Sequence, residues 1–407
     1  MLRRAVVGLA LGAIACGGDG PTAPKQEVTL YFCGITWAAY RNEGEPWRAL
    51  ESTPQVATFK ATDRLAIATV RQVGSGPSPW LEVYYLTADQ AEATFTCGGP
   101  GSGPSPFRQL HGSVIGLASG ATAWISMGRD LTYVTANLTP FDVRAPAAAP
   151  ADLLATHEPF DDSPTSGRAD KVIIRRAVDY ADGATIPVLE FSSEAFAPQM
   201  NALTVDGVSG GPLTVYVGFR TGRGASGVIN YDVQHAGNVV TTSSVPESRL
   251  ATGDLHTVSV ASSDRTLLYF YRAPANRSVA FGPAARTPVI TIPGQTGELL
   301  RLEVASQAEY AEQVSVRFTP PQPAPSANTV VLTATKEYFG GTPGTWSLVL
   351  PDLRSAAGFL PSWGPATGGN AWTLTVTGLP RGLAPSSAGD GDIYRSASAF
   401  GTVTIAQ

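Results

Sequence analysis

The chain has 407 residues, a net charge of −5 and only 15% charged residues, with 43 Gly and 32 Pro among its turn formers. That length holds two to four domains of ~100–200 residues, and the Gly and Pro content suits many short strands better than long salt-bridged helices. Only four lysines are present (Lys25, Lys60, Lys171 and Lys336) and no basic stripe, which excludes a nucleic-acid partner, because neutralising phosphates takes clustered Lys and Arg.

The first element is an apolar run at residues 5–15, preceded by Leu2-Arg3-Arg4 and ended by Cys16. A helix needs ~20 apolar residues to span a bilayer, so this run is too short to stay as an anchor and reads as a secretory signal. Ala13-Ile14-Ala15-Cys16 resembles the lipobox of bacterial lipoproteins, with Ala13 where that family usually has Leu. The resemblance implies cleavage before Cys16, acylation of its thiol, residues 1–15 as signal peptide and 16–27 as a flexible tether. Each buried CH2 contributes ~0.8 kcal/mol, so several acyl chains hold a protein at a membrane. Gly17 stands where Asp would be the usual inner-membrane retention signal, which favours the outer membrane of a bacterial envelope. Cys33 and Cys97 remain, at the two ends of one strand-rich region. They are either a disulfide, as an oxidising compartment permits, or two buried thiols.

Residues 28–98 form the first expected unit, a small β domain. "EVTLYF" and "ATFTC" alternate with period two, "WLEVYYL" is aromatic and β-branched, and Trp37 and Trp47 flank the turn "RNEGEP". Only "TADQAEAT" reads as helix. The apolar-Trp-x-Ala strand leading through a Gly turn to a second Trp is similar to a β-module of uncharacterised bacterial lipoproteins, which implies no particular chemistry. "GSGPSP" occurs at 74–79 and again at 101–106, where it closes this unit.

Residues 107–198 alternate strand and turn every eight to ten residues, the spacing of a β-sandwich. Gly112, Val114, Gly116, Ala123, Ile125, Phe141, Val143, Pro150, Leu153 and Leu154 fall in a pattern that resembles the carboxypeptidase-regulatory, transthyretin-like sandwich. Thr139-Pro140 stands where that family has a Gly before its Phe strand. The resemblance implies an accessory sandwich without catalysis. "FDDSPTSGRAD" reads as a polar loop, "KVIIRRAV" and "TIPVLEF" as closing strands, and "SSEAFAPQ" as one helical turn capped by Ser193.

From 199 to 319 strand patterns continue without a helix, giving a further sandwich. The proline-rich stretch 320–327 reads as a stiff linker or a long connection within one larger sandwich. Residues 328–407 form a last β domain, joined with 199–319 in the second case. The chain as a whole is therefore expected to be all-β, several sandwich modules in tandem behind a signal peptide and tether.

Chemistry is sparse. Gly207-Val208-Ser209-Gly210-Gly211 fits Gly-x-Ser-x-Gly, but a nucleophile elbow passes from strand to helix, and here a strand pattern follows. The four histidines (His111, His157, His235 and His256) form no metal-binding pair, and no cofactor motif is present. Asp390 and Asp392, in "AGDGDIY", are the best Ca2+ ligand candidates, against the plainer reading of a solvated turn. Phe359, Trp363 and Trp372 sit among Gly and Pro and are the candidate exposed aromatic site. The expected function is that of a non-enzymatic, membrane-anchored envelope lipoprotein that binds a protein or glycan partner or adds structural bulk. A secreted hydrolase with accessory sandwiches is the alternative.

Overall fold

A computed structural model describes residues 26–50, 56–72, 79–95, 107–128, 130–147, 150–159, 166–208, 210–293, 297–320, 328–380 and 387–405. Cys16, Cys97, Ser209, the lipobox-like segment and the second "GSGPSP" lie outside these residues. Among the described residues there are 28 strands and one α-helix, so the chain is all-β with sandwiches in tandem. The helix, Ala88–Thr94, starts in a capping box: Thr87 Oγ1 accepts from the Gln90 N–H while the Gln90 side chain accepts from the Thr87 N–H. The expected helical turn at Ser193 is a plain turn over 191–194, closed by the Glu194 N–H donating to the Glu190 carbonyl.

Residues 107–198 form their own two-sheet sandwich. One sheet runs Pro140–Pro146, Phe107–Ile115, Leu189–Glu190; the other runs Lys171–Val178, Ala151–Glu158, Thr122–Met127, Asp130–Val134. Val114, Ile125, Phe141, Val143 and Leu153 lie in the core between them. Gly112 has to be Gly because the Phe141 ring occupies the place of its Cβ. Along Ala151–Glu158 the period of two splits the side chains: Leu153 and Ala155 enter this core, whereas Leu154 packs into the core of the next sandwich. A strand buried on both faces reads as a continuous apolar run, which "ADLLATH" is.

A 13-stranded sheet links the rest of the chain. At one end the strands Leu213–Arg220, Ser226–His235, Leu255–Ala261 and Arg265–Tyr271 pack against a three-stranded sheet of Val239–Ser244, Gln199–Asp206 and Arg277–Ala280. The other end holds Ile35–Asn42, Arg64–Gln72, Pro79–Thr87, Gln313–Thr319, Thr329–Thr335, Gly368–Thr377 and Ile393–Ile405. These pack against Glu298–Ala305 and Thr345–Pro351 around Trp346, Leu302 and Phe318. The pair Gln26–Tyr31 and Val56–Ala61, with the helix, covers the opposite face of the N-terminal strands.

The expected unit 28–98 keeps a core of its own on one face, whereas the other face of its strands shares a core with residues 285–405, and of the two readings of 320–327 the connection within one larger sandwich is the one that fits. Gln313–Thr319 and Thr329–Thr335 pair directly, Phe318 opposite Val330, so the proline stretch joins neighbouring strands of one sheet. Thr329–Thr335 also pairs in parallel with Pro79–Thr87, putting the start and the end of the chain into one core. Gln90 fastens this join, donating to Glu337 Oε2 at 2.8 Å and accepting from Thr335 Oγ1 at 2.7 Å.

Candidate functional site

The aromatic candidates of the C-terminal region belong to the core. Phe359 and Trp372 are 9% and 6% exposed, and the half-buried Trp363 packs on the same cluster. Phe359 and Trp363 close around Trp37, with ring centroids 5.1 and 6.1 Å from it, and the Trp37 indole N–H donates to the Ala357 carbonyl at 3.0 Å. Trp372 lies over Gly401, whose Cβ would overlap the indole. Removing these rings from water stabilises the fold more than displaying them on a loop.

Asp390 and Asp392 hold a turn. Asp390 Oδ1 accepts from the Arg272 N–H at 2.8 Å, and Asp392 Oδ2 accepts from the Gly389 N–H at 2.7 Å and from the Tyr394 hydroxyl at 3.2 Å. Among the described residues no three His, Cys, Asp or Glu side chains are grouped for a metal ion. The described residues on either side of Ser209 belong to or adjoin the strands Gln199–Asp206 and Leu213–Arg220, whereas a nucleophile elbow leads into a helix. Each histidine is tied into its own surroundings. His111 faces Asp142 across paired strands at 2.6 Å, His157 faces Asp170 at 2.5 Å, and His235 faces Asp232 at 2.6 Å. His256 accepts from the Val245 N–H at 2.8 Å. Cys33 is disulfide-bonded, so the two-free-thiols alternative falls away for it.

The structure places exposed aromatic rings elsewhere, where the outer face of the 107–198 sandwich meets the 13-stranded sheet. The two faces touch at one end: Leu154 packs against Gly227, and the Ser226 N–H donates to Ser126 Oγ at 3.0 Å. Toward Trp124 and Glu158 a cleft of about 260 Å³ stays open between them. One wall carries Trp124 and Leu131, with Tyr133 opposite Trp124 in the strand pairing and its ring 5.2 Å away. The other wall carries Tyr216 and Tyr231, paired across neighbouring strands and stacked at 6.3 Å with a 27° interplanar angle, beside Val228. Trp124, Tyr216 and Tyr133 are 36%, 42% and 60% exposed and face solvent, whereas Tyr231 is half-buried.

Between the walls, Glu158 Oε2 accepts from the Trp124 indole N–H at 3.0 Å, which fixes both side chains. Gly167 belongs to the short edge strand Ser166–Arg168, inside the stretch that reads as a polar loop, and pairs with Tyr231. A Cβ on Gly167 would overlap Glu158 Oε1 and the Tyr231 ring, so the close approach of the carboxylate to this strand depends on glycine. Arg168 is exposed beside it. The same strand borders a second, polar hollow of about 270 Å³, lined by Asp232, His235 and Thr241 and sharing Arg168, Asn230 and Tyr231 with the first.

No protein-family model matches this chain, and no curated protein matches it. Among solved structures, the chain is similar to the crystal structure of a tetra-tandem repeat in the extending region of a large adhesion protein, at 12% identity. That match covers 94% of this chain and 93% of the other, with a TM-score of 0.16.

Proposed function

We propose that this protein is a non-enzymatic lipoprotein of the bacterial envelope, anchored through Cys16, that binds a partner molecule in the aromatic cleft of Trp124, Tyr216 and Tyr231. The observation that carries this reading is the cleft itself. Three aromatic rings, Trp124, Tyr216 and Tyr231, line it around a glycine-dependent floor, at a junction between two sandwiches, where ligand sites recur. The 107–198 sandwich keeps the inward residues of the carboxypeptidase-regulatory pattern, which fits an accessory module.

The full-length protein should select ligands from combined oligosaccharide and peptide arrays, and both Trp124→Ala and Tyr216→Ala should lose that selection. Identical array profiles for the native protein and both variants would refute the cleft as the binding seat. Cys16→Ser should abolish incorporation of labelled palmitate and move the protein from the membrane fraction to the soluble one. Unchanged membrane retention would remove the anchor from this account.

We assign the disulfide of Cys33 to Cys97. The Tyr31 N–H donates to the Phe95 carbonyl at 2.8 Å and the Phe32 and Phe95 rings meet at 5.4 Å, which brings the chain two residues before Cys97 beside Cys33. Cys33→Ser should lower the unfolding free energy by about 2–5 kcal/mol. Peptide mapping without reduction should recover the two cysteines in one cross-linked fragment; recovery of Cys97 as a free thiol would break the assignment.

A further inference from the structure

We infer that the ligand of this cleft is a neutral saccharide chain, an inference that rests on the cleft being the binding seat. The rings supply the first argument. Tyr216, stacked on the half-buried Tyr231, faces Trp124 on the opposite wall, and Tyr133 extends the Trp124 surface into solvent beside the cleft. Tyr and Trp combine an apolar face with a polar rim. The C–H face of a pyranose ring stacks on such a surface while its equatorial hydroxyls stay at the wet edge. A fatty chain or a buried peptide anchor is better served by a closed, dry pocket.

The polar groups supply the second. A carboxylate accepts at about four lone-pair sites, and the bond described from the Trp124 indole to Glu158 uses one. Glu158 is held between the walls, where vicinal hydroxyls of a stacked sugar would reach it. The adjoining hollow continues the same edge with Asp232, His235 and Thr241, so a chain longer than one ring finds polar partners beyond the aromatic seat. The lining sets Glu158 and Asp232, the latter bonded to His235, against the single Arg168 guanidinium, so it offers an anion no excess of positive charge. That balance favours an uncharged ligand over an anionic one.

The test uses the full-length protein extracted in detergent, titrated against arrayed neutral oligosaccharides (glucans, mannans, galactans and chitin fragments) and against random peptides. Binding to at least one neutral oligosaccharide is expected, weakened about tenfold by Tyr216→Ala or Trp124→Ala and unaffected by Phe400→Ala, an exposed ring outside the cleft. Glu158→Gln keeps an acceptor for the Trp124 indole but replaces the carboxylate, and should weaken saccharide binding while leaving thermal stability unchanged. Peptide binding that depends on Trp124 and Tyr216, without saccharide binding, would overturn the saccharide assignment and leave the cleft as the seat. Absence of any Trp124- and Tyr216-dependent binding on either array would overturn both.

Discussion

Arg176→Ala is expected to lower the unfolding free energy by about 3–5 kcal/mol, the effect of leaving buried charges without their partner. Arg176, on the strand Lys171–Val178, donates to Asp152 Oδ2 at 3.0 Å, to Asp254 Oδ1 at 2.9 Å and Oδ2 at 2.6 Å, and to the Arg249 carbonyl at 3.1 Å. Asp152 and Asp254 are both buried, Asp254 with no exposed side-chain surface. Asp254 also accepts the N–H groups of Gly222 and Ala251, and Asp152 accepts that of Ala177, whose φ of +52° is a strained value for a residue with a Cβ. One guanidinium thus ties the 107–198 sandwich to the next. Burial pushes the Arg176 guanidinium down, but its bonds to Asp254 and Asp152 outweigh that and hold it above its ordinary value. Lys at 176 should recover only part of the loss, because an ammonium cannot reproduce the planar fork on two carboxylates. Denaturant titration reads both variants, and a midpoint equal to the native one would show the network to be dispensable.

That network was invisible in the sequence, although its strands were not. The strand patterns in "PLTVYVGF" and "KVIIRRAV" were sufficient for strands, and "TADQAEAT" for the helix, because these signals are local. Partnership between strands is not local. The prolines at 320–327 break any element and so resemble a domain linker, whereas they join adjacent strands of one sheet. A finer signal lay in "WLEVYYL": a run without alternation belongs to a strand covered on both faces. Leu81, Val83 and Tyr85 do enter one core, and Leu86 and Tyr84 the other.

The rings of Phe359, Trp363 and Trp372 are expected at the surface for a related reason. Gly and Pro around Phe359 and Trp363 suggest an exposed loop, but a loop that folds back over Trp37 buries its rings as well as a strand does. Trp124 and Tyr216 carried a readable signal, since their neighbours Ala123, Ile125, Val215 and Val217 take the inward phase and leave these two aromatics on the outward one. What no single strand encodes is that the two outward faces meet and enclose a cleft between them.

Acidification should weaken the fold through His256, by about 3 kcal/mol between neutral pH and pH 4. His256 is fully buried, stacked on Tyr271 at 4.8 Å and against Phe219 at 5.0 Å. The Val245 N–H donates to its Nε2 at 2.8 Å, and Nδ1–H donates to the Arg272 carbonyl at 3.1 Å, so only the neutral ring satisfies both neighbours. Burial pushes its pKa from 6.5 down to about 4, opposed by the carbonyls nearby and by Asp254, and assisted by Arg277. Because the folded value lies below the unfolded one, the unfolded chain takes up the proton first. The contribution is whole above about pH 6.5 and drains away as pH falls toward 4, where the folded ring also protonates. Carboxylates titrate in the lower part of the same window, so the measurement is a difference: unfolding free energy against pH for the native protein minus that for His256→Gln. The difference should slope by about one proton through this window, and parallel profiles for the two proteins would show that the ring ionises in the fold as readily as in the open chain.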